Sequence, residues 1–316
     1  MGVFLLRRVA VFAATLVGAS LVIFLVLEIL PGNAALTILG ADATPDAVAA
    51  LTHKLGLDRP AGERYLGWIF GLITGDLGVS YAYSTPVSEL IGGSLAVSLP
   101  LAVMAMLLTL VIALGLGIFA AARHGGLADT GVMGVSQIGI AIPNFWFAIL
   151  LILLFAVQLH WFAAGGFPGW ADGPLPALRA LVLPALALAV VQAAILARVT
   201  RSSIIEVMRE DFVRTARAKG LTKRQALWRH VLRNAMIPVI TIMGLQFANL
   251  IAGTVVIENV FYLPGLGRLI FQAINNRDTI VVRDCVMLLA ALVVAVNFVV
   301  DLVYVVIDPR LKASEL

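Results

Sequence analysis

The sequence predicts an all-helical integral membrane protein, and three observations carry that expectation. Of its 316 residues, 61% are hydrophobic and only 13% are charged, against roughly 45–50% and about 25% in soluble domains. Six stretches, approximately 9–30, 96–122, 132–159, 181–197, 235–257 and 285–307, are long and apolar, and a bilayer crossing needs about 20 residues at 1.5 Å rise each. The scarce cations are concentrated, with ten of the 22 Lys and Arg inside residues 198–234. A soluble single domain is excluded because no interior of this size hides so much apolar surface. Disorder is excluded because it needs the opposite composition.

The formal net charge of +4 suggests a nucleic-acid partner until the positions of the charges are considered. With the N-terminus inside, 15 of the 22 basic residues fall on the inner side and 7 on the outer. That bias sets orientation, and it predicts both termini in the cytoplasm. The single cysteine, Cys285, permits neither an intramolecular disulfide nor a cysteine metal cluster.

Taken in order, the first span follows Arg7 and Arg8. Its run of about 22 apolar residues exceeds the roughly 7–15 of a signal peptide, so it is expected to be retained. The external segment 31–95 is too long for a plain connection. Thr44 and Pro45 are suited to the N-cap and first position of a helix that Gly56 would end. A second helix is expected after Pro60, because Tyr65, Trp68, Ile69, Leu72 and Ile73 form one apolar stripe. That stripe has two readings: it packs on the bundle, or it lies on the membrane surface. The fourth span, 181–197, is short and interrupted by Pro184 and Gln192.

The inner segment 198–234 carries ten basic and three acidic residues. Ile204, Ile205, Met208 and Phe212 share a helical face, and a helix is expected to run on to Gly220, which suits the left-handed position after a helix end. Thr222 with Gln225 three residues later forms a capping box for a second helix, whose stripe continues through Leu227 and Val231 towards Pro238. Two short helices would therefore meet at Gly220 in a basic elbow shaped to dock on another protein. The alternative is an ordinary positive-inside loop.

The run Asp211-Phe212-Val213-Arg214-Thr215-Ala216-Arg217-Ala218-Lys219-Gly220-Leu221 resembles the cytoplasmic loop of bacterial binding-protein-dependent ABC-importer permeases. In that family a Glu-Ala-Ala triplet precedes a glycine. Ala216 and Gly220 match, Arg214 and Thr215 replace Glu-Ala, and Ile237-Pro238 comes late. These departures resemble the dipeptide, oligopeptide and nickel branch. The resemblance extends along nearly the whole chain: Phe4-Leu5-Leu6-Arg7-Arg8, Leu30-Pro31-Gly32-Asn33 (with Asn33 in place of an acid), Leu55-Gly56-Leu57-Asp58-Arg59-Pro60, Gly75-Asp76-Leu77-Gly78, Ile142-Pro143-Asn144-Phe145-Trp146, Phe261-Tyr262-Leu263-Pro264-Gly265-Leu266-Gly267 and Asp308-Pro309-Arg310.

That resemblance implies a type I ABC importer permease fold in the bacterial inner membrane. It comprises the first span and its external loop over 1–95 and a five-helix permease core over 96–316. It implies a pathway for peptides or a related solute (nickel, glutathione and opines being the alternatives). The implied partners are a second related permease, two cytoplasmic ATPases and an external binding protein. It assigns ATPase coupling to Ala216, Arg217, Ala218, Lys219, Gly220 and Leu221, and an external gate or binding-protein contact to Pro264, Gly265 and Gly267. ATP and Mg would then be held by the ATPases. The chain itself has no G-x-x-x-x-G-K-[ST] loop, and Gly115-Leu116-Gly117-Ile118-Phe119-Ala120, which fits G-x-G-x-x-A, lies inside a span with no preceding strand. Its glycines are instead suited to close helix approach.

Polar residues inside spans face a bundle interior or an aqueous path. Gln192, Gln246, Asn249 and Asn144 are path candidates, whereas Asn297 and Asp301, four residues apart on one face with Tyr304, suit a structural network. Catalysis finds no support. His53, His124, His160 and His230 are scattered over both sides, and no H-E-x-x-H or G-x-S-x-G motif occurs. The competing class, a stand-alone secondary transporter or channel, would need midplane coupling acids and repeated broken helices. Asp301 is the one candidate acid.

Overall fold

The computed structural model describes residues 2–29, 34–40 and 43–307, with the backbone alone described at 2–5, 34, 37, 38, 301 and 303–307. The matches at 30–33 and 308–310, and the side chains of Asp301 and Tyr304, lie outside the described residues. The described chain is helical, with turns between helices and one isolated antiparallel bridge between Val79 and Pro86.

The unbroken apolar run beyond Arg8 gives α1 (Gly2–Ile29). Two short helices follow, α2 (Ala34–Leu39) and α3 (Pro45–Lys54). The Thr44 hydroxyl accepts the Ala47 N–H at 3.4 Å, and Gly56 at φ +65° follows the helix end, so the cap and the stop sit where the residue types place them. Beyond the stop, Asp58 lies 2.6 Å from His53, whose hydrogen bond draws the exposed carboxyl below its ordinary pKa. α4 (Ala61–Thr74) ends at Gly75, φ +82°.

α5 (Val87–Ala122) starts nine residues ahead of the expected span and passes through Pro100. The third span is broken. α6 (Leu127–Ala141) and α7 (Asn144–Leu151, prolonged by a π-helical turn over Ile152–Gln158) are bent by 103°. Pro143 is the cause, since its ring disfavours helical geometry in the residue before it, and Ile142 is extended at φ −82°, ψ 125°. α8 (Pro174–Val207) is 34 residues long, twice the expected fourth span, and carries Pro184 within it.

A turn at 208–210 separates α8 from α9 (Asp211–Ala218). α10 (Lys223–Ala226) runs through a π-helical turn at Leu227–Val231 into α11 (Leu232–Val260). α12 (Leu266–Asn275) and α13 (Thr279–Ile307) complete the described residues. Five helical stretches, Leu6–Ile29, Val87–Ala122, Pro174–Val207, Lys223–Val260 and Thr279–Val300, are long and apolar enough to cross a membrane, and the bent α6–α7 pair makes a sixth if it counts as one span.

Two compact units emerge, and α5 and α13 contribute to both. The first joins Met1–Ser98 to Pro264–Ala295. One of its cores gathers Val87, Ile91, Leu266, Ile270, Val281 and Cys285; another gathers Phe24, Trp68 and Met287. Buried acids tie the segment between α1 and α5 down. Asp278 accepts the Ser80 hydroxyl at 2.5 Å and the Ala82 N–H at 3.1 Å. Asp284 accepts the Trp68 indole N–H at 2.6 Å, and the Arg283 guanidinium lies 4.8 Å above the Trp68 ring. Arg64 pairs with Glu28, and the Tyr65 and Ser20 hydroxyls meet at 2.9 Å. The α4 stripe thus packs on the bundle through Tyr65, Trp68, Ile69 and Leu72. Ile73 is a correction to that stripe: it is 79% exposed and lies with Leu66 and Phe70 on another flank.

The second unit is Leu99–Leu263 with Val296–Leu316. α8 is its centre, and α5 meets it at a glycine. A Cβ at Gly117 would come within 2.7 Å of the Thr200 Cβ and 2.8 Å of the Ala197 carbonyl oxygen, whereas one at Gly115 would meet nothing within 4 Å. Only one of the two glycines therefore serves close approach. Gly244 does the same for α11 and α13, where a Cβ would lie 2.1 Å from Val300.

Two outcomes follow for thermal unfolding of purified protein in detergent. Gly117→Ala should lower stability by about 1–3 kcal/mol, the ordinary range for overpacking, while Gly115→Ala leaves it unchanged or slightly raised because alanine favours helix. Trp68→Phe should cost about 1–3 kcal/mol by leaving the buried Asp284 carboxylate short of its donor.

Candidate functional site

The elbow is built from two helix ends. The Gly220 N–H bonds the Arg217 carbonyl at 3.0 Å and the Leu221 N–H bonds the Ala216 carbonyl at 3.3 Å, the paired closure of a Schellman motif. Gly220 takes φ +96°, a geometry that only glycine enters at no steric cost. On the far side the capping box is complete: the Thr222 hydroxyl accepts the Gln225 N–H at 3.3 Å, and the Gln225 side chain accepts the Thr222 N–H at 2.9 Å. The turn is therefore held by backbone geometry on one side and a reciprocal cap on the other.

The elbow's inner face is anchored. Val213, Ala226, Leu227, Val231 and Ala235 form one core with Ala121 of α5 and Ile204 of α8, and the Ser203 hydroxyl donates to the Ala235 carbonyl at 2.8 Å. The expected continuous helix to Gly220 is corrected here. The turn at 208–210 rotates the following helix so that Val213 is buried and Phe212 is 44% exposed. The outer face carries Phe212, Trp228, Arg214, Arg217, Lys219 and Arg224, all exposed. Aromatic groups and arginines on a fixed helical scaffold are the composition of a protein-docking surface. Of the six predicted coupling residues, Arg217, Ala218, Lys219 and Gly220 are exposed, and Ala216 and Leu221 are half-buried.

Residue-by-residue sequence reasoning missed a clamp beside the elbow. Asp129, in the first turn of α6, receives Arg201 of α8 in a two-pronged ion pair at 2.5 and 2.7 Å. The Gly125 N–H donates to the same carboxylate at 3.0 Å, and His124 Nδ1 lies 3.2 Å away. The short turn at 123–126 is thereby fastened to α8. A cleft of 470 Å³ opens next to it, lined by His124, Arg201, Glu206, Arg209, Asp211 and Arg214 among others. Asp129 and Arg201 are 72 positions apart, so no spacing rule links them. The only sequence signal was an acid at a helix N-terminus, where it complements the dipole.

The polar candidates inside the spans are placed differently from one another. Gln246 is buried, with its amide donating to the Gln192 carbonyl at 3.0 Å, so it joins α11 to α8. Its Oε1 is buried without a partner. Asn249 is exposed, on a stripe of α11 with Leu245, Ala252 and Val256. Gln192 and Asn144 are half-buried, the latter at the start of α7 just past the 103° bend. Asn297 is half-buried in α13. In the turn before α12 Pro264 is exposed while Gly265 and Gly267 are buried, and the Leu266 N–H at the start of α12 donates to the Ser98 hydroxyl at 2.9 Å. Among the described residues no group of three or more His, Cys, Asp or Glu is placed to hold a metal ion.

With this geometry in view, comparison with known proteins is informative. Residues 113–313 match the family described as binding-protein-dependent transport system inner membrane component, and residues 1–102 match that system's N-terminal membrane component. A putative peptide transport system permease protein of Brucella abortus is 42% identical over 308 residues, covering 98% of each chain. The dipeptide transport system permease protein of Escherichia coli K12 is 36% identical over 335 aligned positions, again covering 98% of each. Among solved structures, an inward-facing MetNI methionine ABC transporter aligns with a TM-score of 0.55 at 18% identity, over 70% of this chain and 97% of its own. An amino acid ABC transporter aligns at 0.53 and 16% identity, over 69% and 94%; both show a shared fold. The anchored elbow, the membrane-length helices and two family matches that together span most of the sequence lead to one assignment: this chain belongs to the family of binding-protein-dependent transport system inner membrane components.

Proposed function

We propose that this chain is one of two related permease subunits in an ATP-driven importer, that it forms half of the path for short peptides, and that its elbow receives the motion of a cytoplasmic ATPase. The peptide cargo is inferred from the printed names of the relatives, which speak of peptide and dipeptide transport. ATP and Mg are assigned to the ATPase partners, and delivery to an external binding protein. The placement of both termini in the cytoplasm rests on the distribution of basic residues, 15 inside against 7 outside.

The observation that carries the coupling role is the elbow's asymmetry. Its inner face is locked into the α5–α8–α11 core, and its outer face presents Phe212, Arg217, Lys219 and Trp228 uncovered. A push on the outer face therefore moves the attached helices instead of being absorbed by a loose loop. Alternating access follows if closure of the ATPase pair drives the elbow and the spans rotate with it. Within the path we assign contact with cargo to Asn249 and Asn144 and a supporting role to Gln246 with Gln192. Pro264, Gly265 and Gly267 are assigned to the external gate, and Asn297 with Asp301 to bundle structure.

Two measurements test this reading in the reconstituted complex. Gly220→Arg places a side chain at φ +96° in the docking surface and should release the ATPases or cut peptide-stimulated ATP hydrolysis at least tenfold. Gly220→Asn, which tolerates the left-handed region, should retain most of it; full retention and normal uptake in the arginine variant would overturn the coupling role. Asn249→Leu should lower peptide uptake severalfold with assembly intact, and unchanged uptake would remove Asn249 from the path.

A further inference from the structure

α4 carries more apolar surface than its packing uses. At 100° per residue its apolar positions run from Trp68 through Leu72, Tyr65, Ile69, Ile73 and Leu66 to Phe70, an arc of about 200°, whereas packing against a core needs roughly 100°. Half of the arc, Trp68 with Tyr65, Ile69 and Leu72, closes on Phe24 and Met287. The other half stays open, with Leu66 67%, Phe70 68% and Ile73 79% exposed. Glu63, Arg64 and Thr74 occupy the remaining polar flank with Gly67 and Gly71.

The depth of α4 decides what covers the open half. Its contacts on α1 are with Glu28, Phe24 and Ser20. Ser20 lies nine residues before the end of the apolar stretch Leu6–Ile29, about 14 Å along the helix axis at 1.5 Å per residue. The hydrocarbon core is about 30 Å thick, so α4 packs beside α1 at the level of the leaflet nearest Ile29, the outer leaflet on the topology proposed above. On α13 it reaches Asp284 and Met287, five and eight residues into that helix. The neighbouring surface of α1 is equally bare, with Leu21, Val22, Leu25, Val26 and Ile29 all exposed. The open stripe of α4 therefore continues the exposed apolar surface of a membrane-length helix.

We propose that α4 is a membrane element that enters the outer leaflet without crossing it, with Leu66, Phe70 and Ile73 against acyl chains and the Glu63–Arg64 flank turned to the interface. An amphipathic helix in this position has its apolar face within the headgroup and acyl boundary. The Trp68–Asp284 and Arg64–Glu28 contacts then lock α1 to α13 from the lipid side. The external segment is thus part solvent-facing connection and part bilayer anchor.

The test uses the complete complex in liposomes. Single cysteines at Leu66→Cys, Phe70→Cys and Ile73→Cys, in a Cys285→Ala background, carry an environment-sensitive fluorophore, with Lys54→Cys on α3 as the external reference. Phospholipids brominated on the acyl chain should quench the three α4 positions at least twofold and leave Lys54→Cys unquenched, while aqueous iodide does the reverse. Iodide access to the α4 positions would overturn the proposal, as would shielding from both quenchers, which means a protein covers the stripe. On the unmodified complex, a phospholipid with an acyl-chain diazirine should crosslink to the peptide 61–74 and not to 45–54. Absence of label on 61–74 would also overturn it.

Discussion

Inside a bilayer no water is present to accept a backbone N–H or to donate to a carbonyl, so every peptide group must find its partner within the protein. Much of this architecture follows from that constraint. It explains why the described chain is predominantly helical, and why three prolines, Pro100, Pro184 and Pro238, sit within long helices without ending them. It also explains why irregularity within spans takes helical forms, in the π-helical turn after α7, or gathers at one break. That break, at Ile142-Pro143, lies where proline has already removed the donor and forced its neighbour out of helical geometry.

Local chemistry made much of this legible from residue types alone. Thr44 with Pro45, Gly56, Gly220 and the Thr222–Gln225 box mark helix ends, because capping depends on a few neighbouring atoms and those residues supply them. The elbow was legible for the same reason. The α8–α9 break was not, since Met208-Arg209-Glu210 contains no glycine or proline to signal it, and only the structure shows Ile204 and Val213, on either side of the turn, in one core. The extra turns of α5 and α8 were missed because hydropathy marks the apolar middle of a helix and not its polar ends.

Long-range pairings were the least legible. Asp129 with Arg201 and Trp68 with Asp284 are separated by 72 and 216 residues, and nothing in either neighbourhood names its partner. The same holds for glycines. Gly115 and Gly117 look equivalent in sequence, yet only one faces a neighbouring backbone. In the candidate path, Gln246 and Asn249 share a helix and are three residues apart, yet one is buried against α8 and the other exposed. Composition located the polar groups; rotation about the helix axis decides their roles.

The unbroken passage from α10 through its π-helical turn into α11 has a mechanical consequence. Lys223–Val260 is a single stretch of 38 residues, roughly 57 Å long at 1.5 Å per residue. One end is the elbow and the other lies at the far end of a membrane-length helix, so the stretch has the shape of a lever arm. A tilt of only ten degrees about the elbow end sweeps the opposite tip through about 10 Å. That travel is the width of a whole helix with its side chains, so small rotations at the elbow are amplified by length alone.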